Sequence, residues 1–127
     1  DMPFAMTAHI LYRDIDPKNL VTVSVKVIEE VIRKEILFEG FLITDDLSMN
    51  ALEGTLTERT RSSLSAGCDA VLHCNGNMEE MIEIASAVGE LTNVAKLRLN
   101  RALAQIKNIE PFDKTEAMDK LEILGIH

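Results

Sequence analysis

Two adjacent carboxylates, Asp45 and Asp46, close the apolar run Phe41-Leu42-Ile43-Thr44 and precede Leu47-Ser48-Met49. A carboxylate fixed at the end of a buried segment can serve as nucleophile, as general base or as an oxygen ligand for a hard cation. Two further apolar runs end in polar groups. Phe4 to Ile10 closes with Thr7, Ala8 and His9, and Ala70 to Cys74 closes with His73, Cys74 and Asn75 ahead of Gly76. The three ends together offer carboxylate, imidazole and amide groups.

These ends need rigid supports. The Phe41 run, introduced by Glu39-Gly40, has the length and composition of a strand covered on both faces, as in a parallel sheet. In (β/α) barrels and open α/β sheets, such strands deliver chemistry at their C-terminal ends, where loops are free to vary while the sheet stays rigid. Between the strands lie helical patterns. Ser24 to Ile36 carries Val27, Ile28, Val31, Ile32 and Ile36 at helical spacing, with Ser24 as N-cap. Thr55-Leu56-Thr57-Glu58 has the form of a capping box and opens a helix that should stop at Ala66-Gly67, with glycine taking the left-handed turn. Asn77 to Glu80 opens another, running through Met81, Ile82, Ala85 and Val88 to Gly89. A further helix places Ala95, Leu99, Ala102, Leu103 and Ile106 on one face. Pro111 punctuates the chain, and a last amphipathic piece from Asp113 carries Met118, Leu121 and Leu124.

The alternation of strand and helix calls for an α/β fold with a parallel sheet. Only three strands are present, and a full (β/α)8 TIM barrel takes about 250 residues. The expectation is therefore the C-terminal portion of such a barrel, about three βα units plus C-terminal helices. Residues 1–110 would supply the last βα units and residues 111–127 a helical tail; a small open sheet is the alternative. A strand ending in paired aspartates also occurs in phospho-acceptor receiver modules, where acidic side chains hold Mg²⁺. Those modules need the acidic pair and the acceptor on separate strand ends and a lysine on a later one, and Ala70 to Asn75 supplies none of these.

The segments Met6-Thr7-Ala8-His9-Ile10 with Tyr12, Asp16-Pro17, Gly40, Thr44-Asp45-Asp46-Leu47-Ser48-Met49, Ala66-Gly67-Cys68-Asp69 and Leu72-His73-Cys74-Asn75 closely resemble the bacterial β-N-acetylhexosaminidases of glycoside hydrolase family 3. The resemblance runs from Met6 to about Asn75. It implies part of a retaining exo-β-N-acetylglucosaminidase that removes terminal β-linked N-acetylglucosamine from peptidoglycan-derived sugars, commonly in the cytoplasm during cell-wall recycling. It also implies that Asp45 is the catalytic nucleophile and that Asp46 caps the following turn or holds its neighbour. The chemistry agrees, because a retaining hydrolase traps an oxocarbenium-like sugar as a covalent ester on an ionised carboxylate.

His9 and Met49 are the candidate substrate-binding residues, Met49 as an apolar wall under the sugar and His9 as a pocket residue or simply a hydrogen-bonded strand-end histidine. The Asn75-Gly76 pair reads as a turn. In this subgroup the acid/base is a histidine on a loop upstream of the matched part. None of His9, His73 and His127 matches that motif, so the acid/base is expected outside the chain. The expectation is a fragment, inactive alone, whose open sheet edges would take the missing barrel half or a second copy. The rival reading is a non-catalytic structural or sugar-contacting piece.

A formal charge of −8 and a pI near 4.8 argue against a nucleic-acid partner, since phosphate backbones are bound by clustered Lys and Arg. No apolar run approaches the roughly 20 residues of a membrane span and no secretory signal is visible, which points to a cytoplasmic chain without a membrane partner. No metal or organic cofactor is expected. Tryptophan is absent and aromatics are sparse, so the core should be aliphatic. Cys68 and Cys74 read as two reduced, buried thiols. Glu79, Glu80 and Glu83 read as a solvated helix face, as do Glu29, Glu30, Arg33 and Lys34.

Overall fold

The computed structural model of the chain describes residues 2–105 and 113–125. Ile106, Pro111 and His127 lie outside the described residues. Three strands, β1 (Phe4–Met6), β2 (Phe41–Asp46) and β3 (Ala70–Leu72), form one parallel sheet in the order β1-β2-β3. β1 is shorter than the Phe4 to Ile10 run, though one further ladder bond follows it, from the Thr7 amide to the Ile43 carbonyl at 2.9 Å. The register pairs Phe4 with Phe41 and Met6 with Ile43, and then Ile43 with Ala70. Between the Ile43–Ala70 and Asp46–Leu72 pairs, β2 carries two residues, Thr44 and Asp45, against the single Val71. That is a bulge, and bulges beside sites re-aim side chains that plain alternation would send elsewhere.

A single turn, Val21–Val23, and a wide helix, Lys26–Glu35, connect β1 to β2. The Ser24 hydroxyl accepts from the Val27 amide at 3.1 Å, as its reading as a cap requires. The helix is wider than its pattern suggests, ending with the Ile36 amide bonded to the Val31 carbonyl, five residues back. An apolar stripe written for 3.6 residues per turn drifts on such a helix. Val27 and Ile28 are buried, but Ile36 is exposed, and Arg33 turns inward. Arg33 therefore does not belong to a solvated face, which corrects its reading from helical spacing.

Helices α1 (Leu56–Ala66), α2 (Met78–Val88), α3 (Asn93–Ala104) and α4 (Lys114–Ile123) follow. α1 opens on the expected capping box, with Thr55 and Glu58 each accepting from the other's amide, and closes on Gly67 at φ 114°. A Cβ on Gly67 would also stand 2.9 Å from the Ile28 side chain. Asn77, Thr92 and Asp113 cap α2, α3 and α4 through their side chains. In α2 the buried residue is Ile84, whereas Met81 and Ile82 are exposed. Glu83 is not part of a solvated face. It accepts from the Thr57 amide and hydroxyl at 2.8 and 2.9 Å and so ties α2 to the open first turn of α1. Leu103 is exposed, and α4 buries none of its residues. Among the described residues no helix is long and apolar enough to cross a membrane.

The core lies on one face of the sheet, where Leu42 packs against Ile28, Ala66 and Cys68, flanked by Ala5, Ile32 and Phe38. Fully burying a side chain such as Ile28 or Leu42 contributes about 1.5–3 kcal/mol. The core is mainly aliphatic, as composition implies, and small polar residues such as Thr22, Thr44, Thr60 and Ser63 are buried within it. On the opposite face Phe4 meets Phe41 edge to face at 6.0 Å between ring centroids, and Met6 remains 59% exposed. At the N-terminal end of the sheet, Asp69 binds the start of β2. Its Oδ2 accepts from the Leu42 amide at 2.8 Å and from Arg33 at 2.9 Å, and its Oδ1 accepts from Arg98 at 2.8 Å. Arg33 also donates to the Phe38 and Gly40 carbonyls. Gly40 allows this closure, because a Cβ there would stand 2.6 Å from the Phe38 ring and 2.7 Å from the Pro3 carbonyl oxygen.

Candidate active site

Asp45 stands in the bulge at the C-terminal end of the central strand. Its Oδ1 accepts from the Asp46 amide at 2.8 Å, and it is partly exposed. Among the described residues no other side-chain hydrogen bond involves this carboxylate, which leaves it free to meet a reactant. Asp46 is different in kind. Its Oδ1 accepts from the Ser48 and Cys74 amides at 3.0 and 3.2 Å, and its Oδ2 accepts from the Ser48 hydroxyl at 2.6 Å. Burial pushes the Asp46 carboxyl upward. The Ser48 hydroxyl, the Ser48 and Cys74 amides and nearby His73 outweigh it and hold the group below the usual carboxylate range. Asp46 thus caps the turn after β2, as the resemblance implies, and joins that turn to the chain beyond β3.

His9 reaches the same rim from the β1 end. Its Nε2 donates to the Asp46 carbonyl at 2.9 Å, which places a proton on that nitrogen, and its Nδ1 lies 2.8 Å from the Thr22 hydroxyl. The Thr22 hydroxyl is in turn 2.9 Å from that of Thr7, so a buried hydroxyl pair backs the imidazole. Both His9 nitrogens are consequently engaged within the chain. Sequence reasoning missed Thr7 and Thr22 as supports, because isolated threonines fifteen residues apart carry no local signal. Met49 is 43% exposed just beyond the strand end, and its amide donates to the Asp46 carbonyl at 3.2 Å.

At the β3 end, buried His73 lies with Nε2 3.3 Å from Glu80 and Nδ1 3.7 Å from Asp46, so Glu80 faces inward rather than standing on a solvated face. Asn75 forms the expected turn. Its side-chain oxygen accepts from the Asn77 amide at 2.8 Å, and its nitrogen donates to Glu80 at 2.7 Å. The two thiols are not alike. Cys68 is buried, its thiol pushed up to about 12 by desolvation and by adjacent Asp69, whereas Cys74 is exposed. The expectation of two buried thiols therefore fails at Cys74, because β3 ends at Leu72 and leaves that residue on the rim. Among the described residues no group of three or more His, Cys, Asp or Glu side chains is placed to hold a metal ion.

The arrangement is a carboxylate on a bulged strand end, oriented by the amide of Asp46, whose carbonyl is held by the His9 imidazole and the Met49 amide. Residues 2–109 match the family model described as the glycosyl hydrolase family 3 N-terminal domain. A protein of Nitrosomonas eutropha named beta-hexosaminidase is 32% identical over 132 residues, spanning 95% of this chain and 38% of the relative. One of Alkalilimnicola ehrlichii with the same name is 46% identical over 76 residues, spanning 58% of this chain and 22% of the relative. Among solved structures, a glycoside hydrolase family 3 β-N-acetylglucosaminidase from Paenibacillus sp. FPU-7 superposes with a TM-score of 0.65 at 26% identity, over 88% of this chain and 24% of the other. The Thermotoga maritima β-N-acetylglucosaminidase gives a TM-score of 0.63 at 26% identity, over 82% of this chain and 25% of that one. The chain thus spans well under half the length of these relatives, and its parallel α/β arrangement is TIM-barrel-like.

Proposed function

Because the chain belongs to the glycosyl hydrolase family 3 N-terminal domain family, we propose that it contributes the last three βα units of a (β/α)8 barrel in a retaining exo-β-N-acetylglucosaminidase. In this reading Asp45 attacks the anomeric carbon of a terminal β-linked N-acetylglucosamine while an acid protonates the departing oxygen. Water then attacks the glycosyl-aspartate ester, giving up a proton to the same acid/base and returning Asp45 to its carboxylate. The substrate class proposed is an amino-sugar glycoside derived from peptidoglycan, met in the cytoplasm. The likeness of the Asp45-to-Met49 segment to bacterial hexosaminidases supports it.

The observation that carries the reading is the contrast between the two aspartates. The Asp46 carboxylate is occupied by Ser48 and Cys74, whereas that of Asp45 takes one bond, from an amide beside it, and stays open. Met49 provides an apolar surface under the sugar ring. His9 fixes the rim by holding the Asp46 carbonyl. In a retaining enzyme the acid lies about 5 Å from the nucleophile across the scissile bond. His9 has both nitrogens engaged, and none of His9, His73 and His127 lies in the acid/base motif of the resembled hexosaminidases, so the acid/base in this proposal comes from outside these 127 residues. By themselves the residues would then form a sugar-contacting half without turnover.

The test is hydrolysis of a chromogenic N-acetyl-β-glucosaminide by the longest polypeptide carrying this chain and by the chain alone, each with Asp45→Ala. Turnover by the longer form that vanishes in Asp45→Ala, with no turnover by the chain alone, supports the proposal. Full activity in Asp45→Ala ends it, and Asp45-dependent turnover by the chain alone would place the acid/base within it.

A further inference from the structure

The loop after β2 is gripped by a cation that none of the chemistry above employs. Arg59 lies in the first turn of α1, where its amide bonds to the Thr55 carbonyl at 2.9 Å. Its Nη1 donates to the Leu47 carbonyl at 2.7 Å and the Met49 carbonyl at 3.1 Å, and its Nε donates to the Gly54 carbonyl at 3.1 Å. A cation near a helix N-terminus opposes the positive end of the helix dipole. Among the described residues no carboxylate forms an ion pair with it. The guanidinium is stabilised there by carbonyl oxygens alone, all three from the loop that carries the strand end forward.

Leu47 and Met49 flank Ser48, and Ser48 is the residue whose amide and hydroxyl hold the Asp46 carboxylate. Asp46 in turn gives its amide to Asp45. The loop has other anchors: Leu47 is fully buried, with its amide on the Leu72 carbonyl at 2.9 Å, and Leu52 is buried. The stretch between them is exposed or partly exposed and contains Met49. A fork-shaped cation reaching two carbonyls with one nitrogen and a third with another sets that stretch in one conformation, which a single ammonium at the end of a flexible stem does not reproduce.

We infer that Arg59 is a positioning residue of the proposed glycosidase site: it fixes the loop from Leu47 to Gly54, and through Ser48 and Asp46 it fixes the carboxylate of Asp45 and the wall formed by Met49. The inference rests on the hydrolase reading. Arg59 touches no reacting atom in it and acts on the rate through the loop.

The experiment compares Arg59→Ala, Arg59→Lys and Arg61→Ala, the last removing an equal charge from an exposed position of the same helix, in the longest polypeptide carrying the chain. Expected for Arg59→Ala is a fall in kcat of about 30-fold, the scale of a lost charged hydrogen-bond set, with KM changed little and folding retained. Added guanidinium should restore part of the rate to Arg59→Ala and none to Arg61→Ala. Arg59→Lys should remain impaired. In spectra of methyl-labelled methionine, the Met49 signal should shift or broaden in Arg59→Ala and stay in place in Arg61→Ala.

A folded Arg59→Ala with wild-type kcat and an unmoved Met49 signal overturns the inference. So does a loss confined to thermal stability with no rescue. If Arg59→Ala fails to fold, Arg59→Lys is decisive by the same two readouts. Asp45→Ala is run alongside. Undiminished turnover there defeats the hydrolase reading, while the Met49 spectra still decide whether Arg59 sets the loop.

Discussion

The Asp46 amide donates to Oδ1 of Asp45 at 2.8 Å, so the second aspartate orients the first through its backbone rather than through its acid group. The Asp46 side chain is directed elsewhere, into Ser48 and the Cys74 amide, and this fixes the peptide that carries the donating N–H. The pair therefore divides into one open carboxylate and one bound carboxylate, a difference invisible in their chemistry as free residues.

Removing the open group and removing the bound group should have unequal effects. In the longest polypeptide carrying the chain, Asp45→Ala should abolish the proposed hydrolysis while leaving the circular dichroism spectrum unchanged. Asp46→Asn keeps the orienting amide, and its rate loss in the same chromogenic assay should stay below about 100-fold, equivalent to the two or so hydrogen bonds it weakens.

The Arg33–Asp69 pair is buried, with side chains 8% and 4% exposed. Truncating one partner strands the other charge away from water, which costs about 3–5 kcal/mol. Asp69→Ala should lower the urea midpoint accordingly, and Arg33→Met/Asp69→Leu together should recover part of the loss. An Asp69→Ala midpoint equal to wild type would show that the latch at the N-terminal end of the sheet contributes nothing.

Acid stability should depend on Asp16. The Ser24 hydroxyl, then the Asn19 side chain and the Lys18 and Asn19 amides, bind its carboxylate and hold it far below the usual range. A depressed folded-state value means that ionised Asp16 stabilises the fold fully above the unfolded aspartate value of about 3.9. The contribution is lost as pH falls below about 4 toward the folded value. Denaturation midpoints measured from pH 6 down to 2 should fall less steeply in Asp16→Asn than in wild type; parallel curves would contradict this.

Leu37 is the one described non-glycine residue with positive φ, at 60°, and is 71% exposed. A side chain there costs roughly 1–2 kcal/mol in backbone strain and recovers little by burial. Leu37→Gly should raise the thermal midpoint, with a net gain of up to about 1 kcal/mol after the added chain entropy of glycine. A lower midpoint would mean that the exposed leucine makes contacts of its own.

Features that depend on neighbours along the chain were legible in the sequence. The Thr55 capping box, the left-handed Gly67, the Asn77 cap and the Asn75 turn all appear at their expected positions, because each is a bond between residues two to five apart. The strand ending on Asp45 and Asp46 is equally local, since its apolar run and its abrupt polar end are written in consecutive residues. Helical spacing misled at Arg33, where the wide helix bonds across five residues and turns a nominally solvated position inward. It misled again at Glu80 and Glu83, which face His73 and α1.

By itself the sequence determined the parallel α/β order, the strand that carries the candidate nucleophile, and the resemblance that singles out Asp45. The tertiary structure alone decided which aspartate is free, why His9 has no spare nitrogen, and that Arg59 closes on the loop beyond Met49. The last two turn on hydrogen bonds between groups 10 to 37 residues apart, such as His9 to the Asp46 carbonyl and Arg59 to that of Met49, and the first adds the Cys74 amide, 28 residues from Asp46, to the local Ser48 bonds. A side chain's type fixes what it can donate or accept, but only the packed chain brings a partner to about 3 Å from it.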